Sequence, residues 1–238
     1  MILNKFSIHL LQIWLLAFIL FSCSKNADIN GNKSYISVTH TAINVGPLNL
    51  KLNGIALFST PITYGQTTGI DGNPYDTSTS GVRELQLFQG DSLLLQGNTS
   101  FQQGAHYSMF FFNNPGISYV NTIVFQDNQG VRNDTFTNVR YLNFSPGSNL
   151  GIYMTNSTDT FSIQPSPFVG YNTRPTEYVF VRIPIGSFGV RAFENDSTFI
   201  DVDSIRLDSA KNYNIYLQGY FDSTSNGNNL HLKSVRLN

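Results

Sequence analysis

The chain has 238 residues, a formal net charge of −1 and 12% charged residues, which is about half the usual share. This near-neutral composition gives no indication of a basic patch for nucleic acid or of an acidic tail, so no nucleic-acid partner is expected. The single cysteine excludes an intrachain disulfide framework, a cysteine-based zinc site and a CxxC redox pair.

Residues 1–22 have the features of a bacterial export signal. Lys5 is their only charged residue, and the apolar block of residues 13–21 is shorter than the roughly 20 residues that span a bilayer. Leu20-Phe21-Ser22-Cys23 then resembles the lipobox of bacterial lipoproteins. The resemblance implies cleavage between Ser22 and Cys23, acylation of the Cys23 thiol, and a membrane contact through this lipid anchor. An ordinary cleaved signal or a short N-terminal anchor helix is the alternative.

The expected address is therefore the bacterial cell envelope, as a lipid-anchored outer-membrane protein on either the periplasmic or the exposed side. Residues 23–33 are polar and predict a flexible tether between the lipid and the first folded unit.

From residue 34 to residue 126, apolar and polar residues alternate with the period of β-strands. Asn53-Gly54 supplies the positive-φ pair of a tight hairpin turn, and a loop rich in Gly, Thr and Ser is expected from Gly65 to Gly81. No stretch has helical periodicity with caps. The predicted strands cover residues 35–40, 48–52, 55–58, 85–88, 92–95, 107–112 and 122–125.

Residues 127–138 are polar and predict a linker, and residues 139–238 repeat the pattern of the first unit. Matches at fixed spacing pair Tyr64-Gly65 with Val169-Gly170, Gly81 with Gly186, Phe88 with Phe193, and Tyr107–Phe111 with Tyr213–Leu217. Such matches indicate a tandem duplication. The predicted fold class is all-β, with two tandem Ig-like antiparallel β-sandwich domains. The expected inner-face residues are Leu85, Leu87, Met109, Phe111, Ile123 and Phe125 in the first unit, and Ile152, Met154, Val190, Ile215 and Leu217 in the second.

Several of these features recur in one family of envelope lipoproteins. They are a strand ending in His40-Thr41-Ala42 or Phe144-Ser145-Pro146, a corner at Tyr64-Gly65 or Val169-Gly170, a tyrosine (Tyr75, Tyr178), a glycine before a strand (Gly81, Gly186), and an aromatic strand (Tyr107, Tyr213). The arrangement resembles the domain-of-unknown-function (DUF) 4397 family of Bacteroidetes-type lipoproteins. That family has no established activity, so the resemblance implies a fold and an address but no chemistry.

The residues that could support catalysis are scattered. His40, His106 and His231 lie apart in sequence at strand edges, and no G-x-S-x-G or H-E-x-x-H motif occurs. The oxygen-rich loop of residues 71–76 lacks the EF-hand spacing. We therefore expect no enzyme, no cofactor and no metal site.

Aromatic residues in or beside predicted loops are the best sequence evidence for binding. Their faces can stack on sugar rings or anchor protein partners. The candidate binding residues are Tyr64, Tyr75, Tyr171 and Tyr178. The sequence thus predicts a lipid-anchored, non-catalytic binding or adhesion module for a glycan or an envelope protein. The alternative is a structural or assembly subunit of an envelope complex, without a small ligand.

Overall fold

The computed structural model describes residues 32–69, 73–114, 116, 119–127, 130, 135–170, 173–194, 198–221 and 230–237. The predicted signal, its cleavage site at Ser22 and Cys23, and Tyr171 lie outside these residues. The described part contains sixteen strands and one short 3₁₀ helix, but no α-helix. It also contains no helix with the length and hydrophobicity needed to cross a membrane.

The first half consists of eight strands. They are β1 (Lys33–His40), β2 (Leu48–Leu52), β3 (Ile55–Ala56), β4 (Asp76–Thr79), β5 (Gly81–Gln89), β6 (Ser92–Phe101), β7 (His106–Phe112) and β8 (Asn121–Gln126). The predicted hairpin turn is present, because Asn53 and Gly54 have φ values of 50° and 77°. The predicted loop from Gly65 to Gly81 is wrong in part, because β4 lies within it and pairs with β1.

The second half has the same number of strands. They are β9 (Phe136–Phe144), β10 (Asn149–Thr155), β11 (Thr160–Pro167), β12 (Val181–Pro184), β13 (Gly186–Glu194), β14 (Thr198–Leu207), β15 (Asn212–Gln218) and β16 (His231–Arg236). The 3₁₀ helix η1 (Pro175–Glu177) precedes β12.

The two halves have the same topology, which confirms the predicted all-β sandwiches and their duplication. In the first half the sheets run β4-β1-β7-β8 and β3-β2-β5-β6. In the second half they run β12-β9-β15-β16 and β11-β10-β13-β14, so β1 corresponds to β9, β2 to β10, and so on. One feature differs from a purely antiparallel fold: β1 pairs with β7, and β9 with β15, in parallel.

The pairing of β1 with β7 and of β9 with β15 also corrects the predicted alignment of the two repeats, because Tyr107 in β7 and Tyr213 in β15 are equivalent. Ile36 lies opposite Tyr107 and Val139 lies opposite Tyr213, so His40 corresponds to Asn143 rather than to Phe144. Gly65 N donates a main-chain hydrogen bond to His40 O, and Val169 N donates one to Asn143 O. Gly65 therefore corresponds to Val169 and not to Gly170, so the alignment of the corner also changes by one residue. Alignment on the shared glycine missed this shift because a glycine match does not reveal which amide pairs with the strand.

Each half has its own sandwich core. Leu85, Leu87, Met109 and Phe111 lie in the first core, as predicted. The second core contains the five predicted residues of that half: Ile152, Met154, Val190, Ile215 and Leu217.

A third apolar cluster lies between the halves. It consists of Phe110, Phe112, Ile123, Phe125, Leu142, Phe144, Val169 and Tyr216. The prediction that Ile123 and Phe125 face the first core is therefore wrong. Along β7, Met109 and Phe111 face the first core whereas Phe110 and Phe112 face the other half, because successive side chains point to opposite faces of a sheet. Each half therefore contributes one sheet that is covered on both faces.

The predicted linker of residues 127–138 does not separate two independent bodies. Strand β9 begins inside it, at Phe136, and Asp127 and Thr137 are buried. The sheets β4-β1-β7-β8 and β12-β9-β15-β16 pack against each other, and we call this contact the interface.

Candidate functional site

Equivalent residues of the two halves contact one another at the interface. Asn214 Nδ2 donates a hydrogen bond of 2.7 Å to Ser108 Oγ. The rings of Phe110 and Tyr216 pack edge to face, with their centroids 5.5 Å apart. Contacts between equivalent positions are those of an isologous, approximately twofold arrangement.

Four buried polar side chains form what we call the interface network: Ser108, Asp127, Arg140 and Asn214. Arg140 Nη1 donates to Asp127 Oδ1 at 2.7 Å and to Asn214 Oδ1 at 3.2 Å. Ser108 Oγ donates to Asp127 Oδ2 at 2.6 Å. With the Asn214–Ser108 bond the four side chains close a ring, so each half supplies two members of one network.

The Arg140 guanidinium lies between two aromatic rings, 4.8 Å from the Phe125 centroid and 4.1 Å from the Phe180 centroid. Its Nη2 donates to the Gln126 carbonyl at 2.9 Å. Among the described residues, Nε has no hydrogen-bond partner. Burial raises the pKa of the Asp127 carboxyl, and the Arg140 charge and the hydroxyl donors oppose that shift.

Tyr75 extends this network. Its hydroxyl donates to Asp127 Oδ2 at 3.1 Å, and its ring packs edge-on against His106, with centroids 4.7 Å apart. Burial, followed by the nearby Asp127 carboxylate, raises the pKa of Tyr75. Tyr75 is therefore a half-buried interface residue, and the position equivalent to it in the second half is Phe180 rather than Tyr178.

Two other predicted binding residues also lie at the interface. Tyr178 packs edge to face on Phe125, with centroids 5.9 Å apart, and its hydroxyl lies 3.3 Å from Ser166 Oγ. Tyr64 is half-buried beside His40, and burial raises the pKa of its phenol to about 12. The structure thus brings Tyr64, Tyr75 and Tyr178 to one interface instead of displaying them on exposed loops.

A cleft of about 520 Å³ opens beside the interface network. We call it the neutral cleft. It is bounded by the end of β6, by residues 124–126 of β8, and by the segment from η1 to Phe180. Its lining residues are Thr99, Ser100, Gln102, Tyr107, Val124, Phe125, Gln126, Arg140, Pro175, Thr176, Tyr178, Val179 and Phe180. Arg140 is their only charged member, and its charge is paired with Asp127, so hydroxyls, amides and aromatic rings dominate the site.

A smaller cleft of about 230 Å³ occupies the corresponding place along β16. We call it the cationic cleft, because Lys233 and Arg236 line it together with Gly65, Thr67, Thr68 and Gly69 of the first half. The duplication thus gives two related clefts that differ in size and charge.

Sequence reasoning missed Arg140 and Asp127, which organise the interface. Asp127 was assigned to the linker, but an arginine within the apolar stretch Val139-Arg140-Tyr141-Leu142 was a usable signal. Buried charges need a partner, so such an arginine predicts a paired acid nearby. Within the described residues, no group of three or more His, Cys, Asp or Glu side chains could hold a metal ion.

No protein-family model and no curated protein matches this chain. Among solved structures, the chain is similar to a candidate cell adhesion protein from Bacteroides ovatus, with 10% sequence identity and a TM-score of 0.24. The similarity covers 87% of this chain and 98% of that one. The assignment of two sandwiches rests on the strand pairing within this chain.

Proposed function

We propose that this chain is a lipid-anchored protein of the bacterial cell envelope that acts as a non-catalytic binding or adhesion module. The observation that supports this most directly is the neutral cleft at the interface. Ligand sites are typically concave, rich in aromatic and apolar side chains, and supplied with a few polar groups that orient the ligand. The neutral cleft has this composition.

The cleft is also supported by a rigid surrounding. Its floor belongs to a sheet covered on both faces, and Arg140 is held by the interface network and by two aromatic rings. A site that is ordered before binding loses less conformational entropy when it takes up its ligand. Tyr178 and Phe180 offer apolar faces, and Ser100, Gln102 and Gln126 offer polar groups beside them.

The address rests on the N-terminal sequence. The lipobox-like Leu20-Phe21-Ser22-Cys23 and the resemblance to the DUF 4397 lipoproteins both support an outer-membrane anchor at Cys23. A tether that begins there would hold the folded body close to the membrane surface.

A structural or assembly role is the second candidate, and one observation favours it. Phe136, Val179, Val181 and Ile185 are exposed, and they lie on or beside the paired strands β9 and β12. Exposed apolar side chains beside a sheet edge can form a subunit contact.

Binding can be tested with the mature chain, residues 23–238 carrying Cys23→Ala, on a glycan array and against a displayed peptide library. We expect Tyr178→Ala to weaken binding of a selected ligand at least tenfold, because its ring lines the cleft. Tyr119→Ala is the control, since Tyr119 is exposed but does not line the cleft. If neither collection yields a ligand while an envelope protein co-purifies, the structural role is the better proposal.

The anchor is tested separately in cells. We expect the full-length chain to be found in the membrane fraction and Cys23→Ala to move it to the soluble fraction. Ser24→Ala, next to the lipidation site, should leave the distribution unchanged. Retention of the Cys23→Ala protein in the membrane would contradict lipid anchoring.

A further inference from the structure

Strand β8 is an edge strand, because its sheet runs β4-β1-β7-β8. Asp127 N donates to His106 O, and Phe125 lies opposite Ser108 in the same antiparallel ladder. In such a ladder alternate residues bond to the partner strand, so the main-chain groups of Thr122, Val124 and Gln126 point away from β7. The Gln126 carbonyl fits this alternation, since it accepts from Arg140 Nη2 on that side.

This free edge opens into the neutral cleft. Val124, Phe125 and Gln126 form part of the lining, with the end of β6 on one side and the segment from η1 to Phe180 on the other. The outward main-chain N–H and C=O of Val124 therefore belong to a residue at the border of this cleft.

The equivalent edge of the second half is protected. Strand β16 has Lys233 and Arg236 at its edge, and the cleft beside it is less than half as large. Arg236 Nη1 lies 3.8 Å from Asp208 Oδ2, so Lys233 is the main edge charge. Natural sheets commonly block unpaired edges with charged side chains, above all lysine. Strand β8, with the sequence Asn-Thr-Ile-Val-Phe-Gln, has no charged residue. Since the two edges occupy equivalent places in a duplicated fold, the lack of protection at β8 is a property of this site and not of the fold.

We infer that the neutral cleft binds an extended polypeptide segment, which pairs with β8 as a fifth strand of the sheet β4-β1-β7-β8. This inference rests on the proposed binding function and names the ligand class of the same site. A peptide supplies C=O and N–H groups at the two-residue repeat of the strand edge, where Val124 offers both an N–H and a C=O and Gln126 offers its N–H, since the Gln126 carbonyl already accepts from Arg140. The hydroxyls of a saccharide have no such repeat.

The lining also indicates which segments bind best. Because the only lining charge, Arg140, is already paired with Asp127, the cleft favours an uncharged segment. Alternate side chains of an added strand point to one side, towards the rings of Tyr178 and Phe180, so apolar residues at every second position are expected there.

The test uses a displayed library of random twelve-residue peptides against the mature chain with Cys23→Ala. Val124→Pro removes the outward N–H, and proline is tolerated at edge positions whose N–H is not used by the sheet. The matched control is Ser234→Pro, which occupies the equivalent position in β16. We expect a selected peptide to bind at least tenfold more weakly to Val124→Pro and unchanged to Ser234→Pro.

A second pair of variants keeps the test valid if Val124→Pro does not fold. Ser100→Trp fills the neutral cleft from the exposed wall of β6, and Asn98→Trp, on the same strand but outside the cleft, is its control. Single peptide bonds of the selected peptide can be N-methylated one at a time. Methylation at every second position should abolish binding, and methylation at the positions between them should not.

The inference is overturned if no peptide is recovered, if binding is insensitive to Val124→Pro and Ser100→Trp, or if N-methylation shows no alternation. A glycan that binds the cleft in a Tyr178-dependent manner, with no peptide recovered, would overturn this inference and leave the proposed binding function intact. Recovery of neither a peptide nor a glycan would contradict both this inference and the proposed binding function.

Discussion

His40 and Asn143 lie at equivalent strand ends in the two halves, and both side chains hydrogen-bond to main-chain groups of the turn that follows. His40 Nδ1 accepts from Ala42 N at 3.2 Å, and Asn143 Oδ1 accepts from Ser145 N at 2.9 Å. On the other side, His40 Nε2 lies 3.1 Å from Gly46 O, and Asn143 Nδ2 donates to Ser148 O at 3.1 Å. His40 must therefore be neutral with its proton on Nε2, and burial lowers its pKa.

This arrangement predicts that the stability of the protein depends on pH and that His40→Asn makes this dependence weaker. Because the pKa of His40 is lowered in the folded state, the unfolded chain binds the proton first. The contribution is fully present above about pH 6.5 and is lost as the pH falls below 6.5 towards the lowered pKa. The free energy of unfolding can be measured in urea at several pH values. His40→Asn should reduce the slope of this free energy against pH by up to about 1.4 kcal/mol per pH unit. Exposed His231→Asn is the control, and an unchanged slope in His40→Asn would contradict the assignment.

The turns before β7 and β15 share one backbone feature that is occupied by different residues. Tyr107 accepts a bond from Gln102 N, and Tyr213 accepts one from Asp208 N, so both halves contain the same tyrosine corner. Three residues before the tyrosine the backbone is left-handed in both halves, with φ of 72° at Gly104 and 56° at Ala210. The second half therefore has an alanine in a conformation that favours glycine.

We expect Ala210→Gly to stabilise the protein. A left-handed non-glycine residue costs about 1–2 kcal/mol, and part of that gain is offset by the greater freedom of glycine in the unfolded chain. The net gain should be about 0.5–1 kcal/mol, measured by urea unfolding followed by circular dichroism. The reverse change, Gly104→Ala, should destabilise the equivalent turn. A loss of stability in Ala210→Gly would show that the turn is not strained.

The outer sheet of the second half contains a glycine that is covered by an aromatic ring. Gly151 lies opposite Phe193 in the pairing of β10 with β13, and a Cβ at Gly151 would lie 2.5 Å from Phe193 Cζ and 2.6 Å from the Ile163 carbonyl oxygen. The Phe193 ring also packs on Tyr153, at a centroid distance of 4.5 Å. The ring occupies the space that a side chain at Gly151 would need.

Gly151→Ala should therefore destabilise the protein by about 1–3 kcal/mol, the usual cost of overpacking. The matched control is Gly189→Ala on β13 of the same sheet, where the nearest atoms to an added Cβ are 3.9 Å away. The melting temperatures of both variants can be compared by circular dichroism. Equal effects of the two substitutions would mean that Phe193 moves aside without cost.

Equivalent edge strands of the two interface sheets, β8 in β4-β1-β7-β8 and β16 in β12-β9-β15-β16, differ in charge and in the cleft beside them. Strand β16 has charged residues and a smaller cleft, whereas β8 has no charged residue of its own and a larger cleft. Both edges occupy equivalent places in the duplicated fold, so their difference in charge and cleft size comes from the residues and not from the topology.

The whole molecule depends on the interface network, since its ion pair joins Asp127, at the end of the first half, to Arg140 in the second. Removing one partner of a buried ion pair leaves an uncompensated charge, which typically costs about 3–5 kcal/mol. Replacing both partners with apolar residues is much less costly.

We therefore expect Arg140→Met and Asp127→Leu each to lower the free energy of unfolding by about 3–5 kcal/mol, and the double variant to lose less than the sum. Circular dichroism in urea is the appropriate measurement, because Trp14, the only tryptophan, lies in the predicted signal and is not part of the folded residues between 32 and 237 that the structure describes. The unsubstituted protein should unfold in one transition, since the third apolar cluster joins the halves. Additive losses, or two separate transitions in the unsubstituted protein, would contradict this description of the interface.

Much of the fold was predictable because the signals are local. Period-two alternation at Leu48–Leu52 and the Asn53-Gly54 pair identify a strand and its hairpin turn from adjacent residues. The candidate site was predicted only in part. Tyr64, Tyr75 and Tyr178 all lie at the interface, and of these three only Tyr178 also lines the neutral cleft. No local pattern distinguishes an exposed loop aromatic from one covered by a distant segment.

The amino-acid pattern was sufficient to predict most strands of the first half, the duplication and most residues of the two sandwich cores, because alternation and turn residues act over a few positions. It could not reveal that the two halves pack face to face. Alternation shows that a strand has two faces, but not what covers the second face, and an apolar run such as Met109–Phe112 suits either a core or an interface. The pairing of Asp127 with Arg140 and the open edge of β8 depend on residues brought together from different strands, so they became visible only when all four sheets were in place.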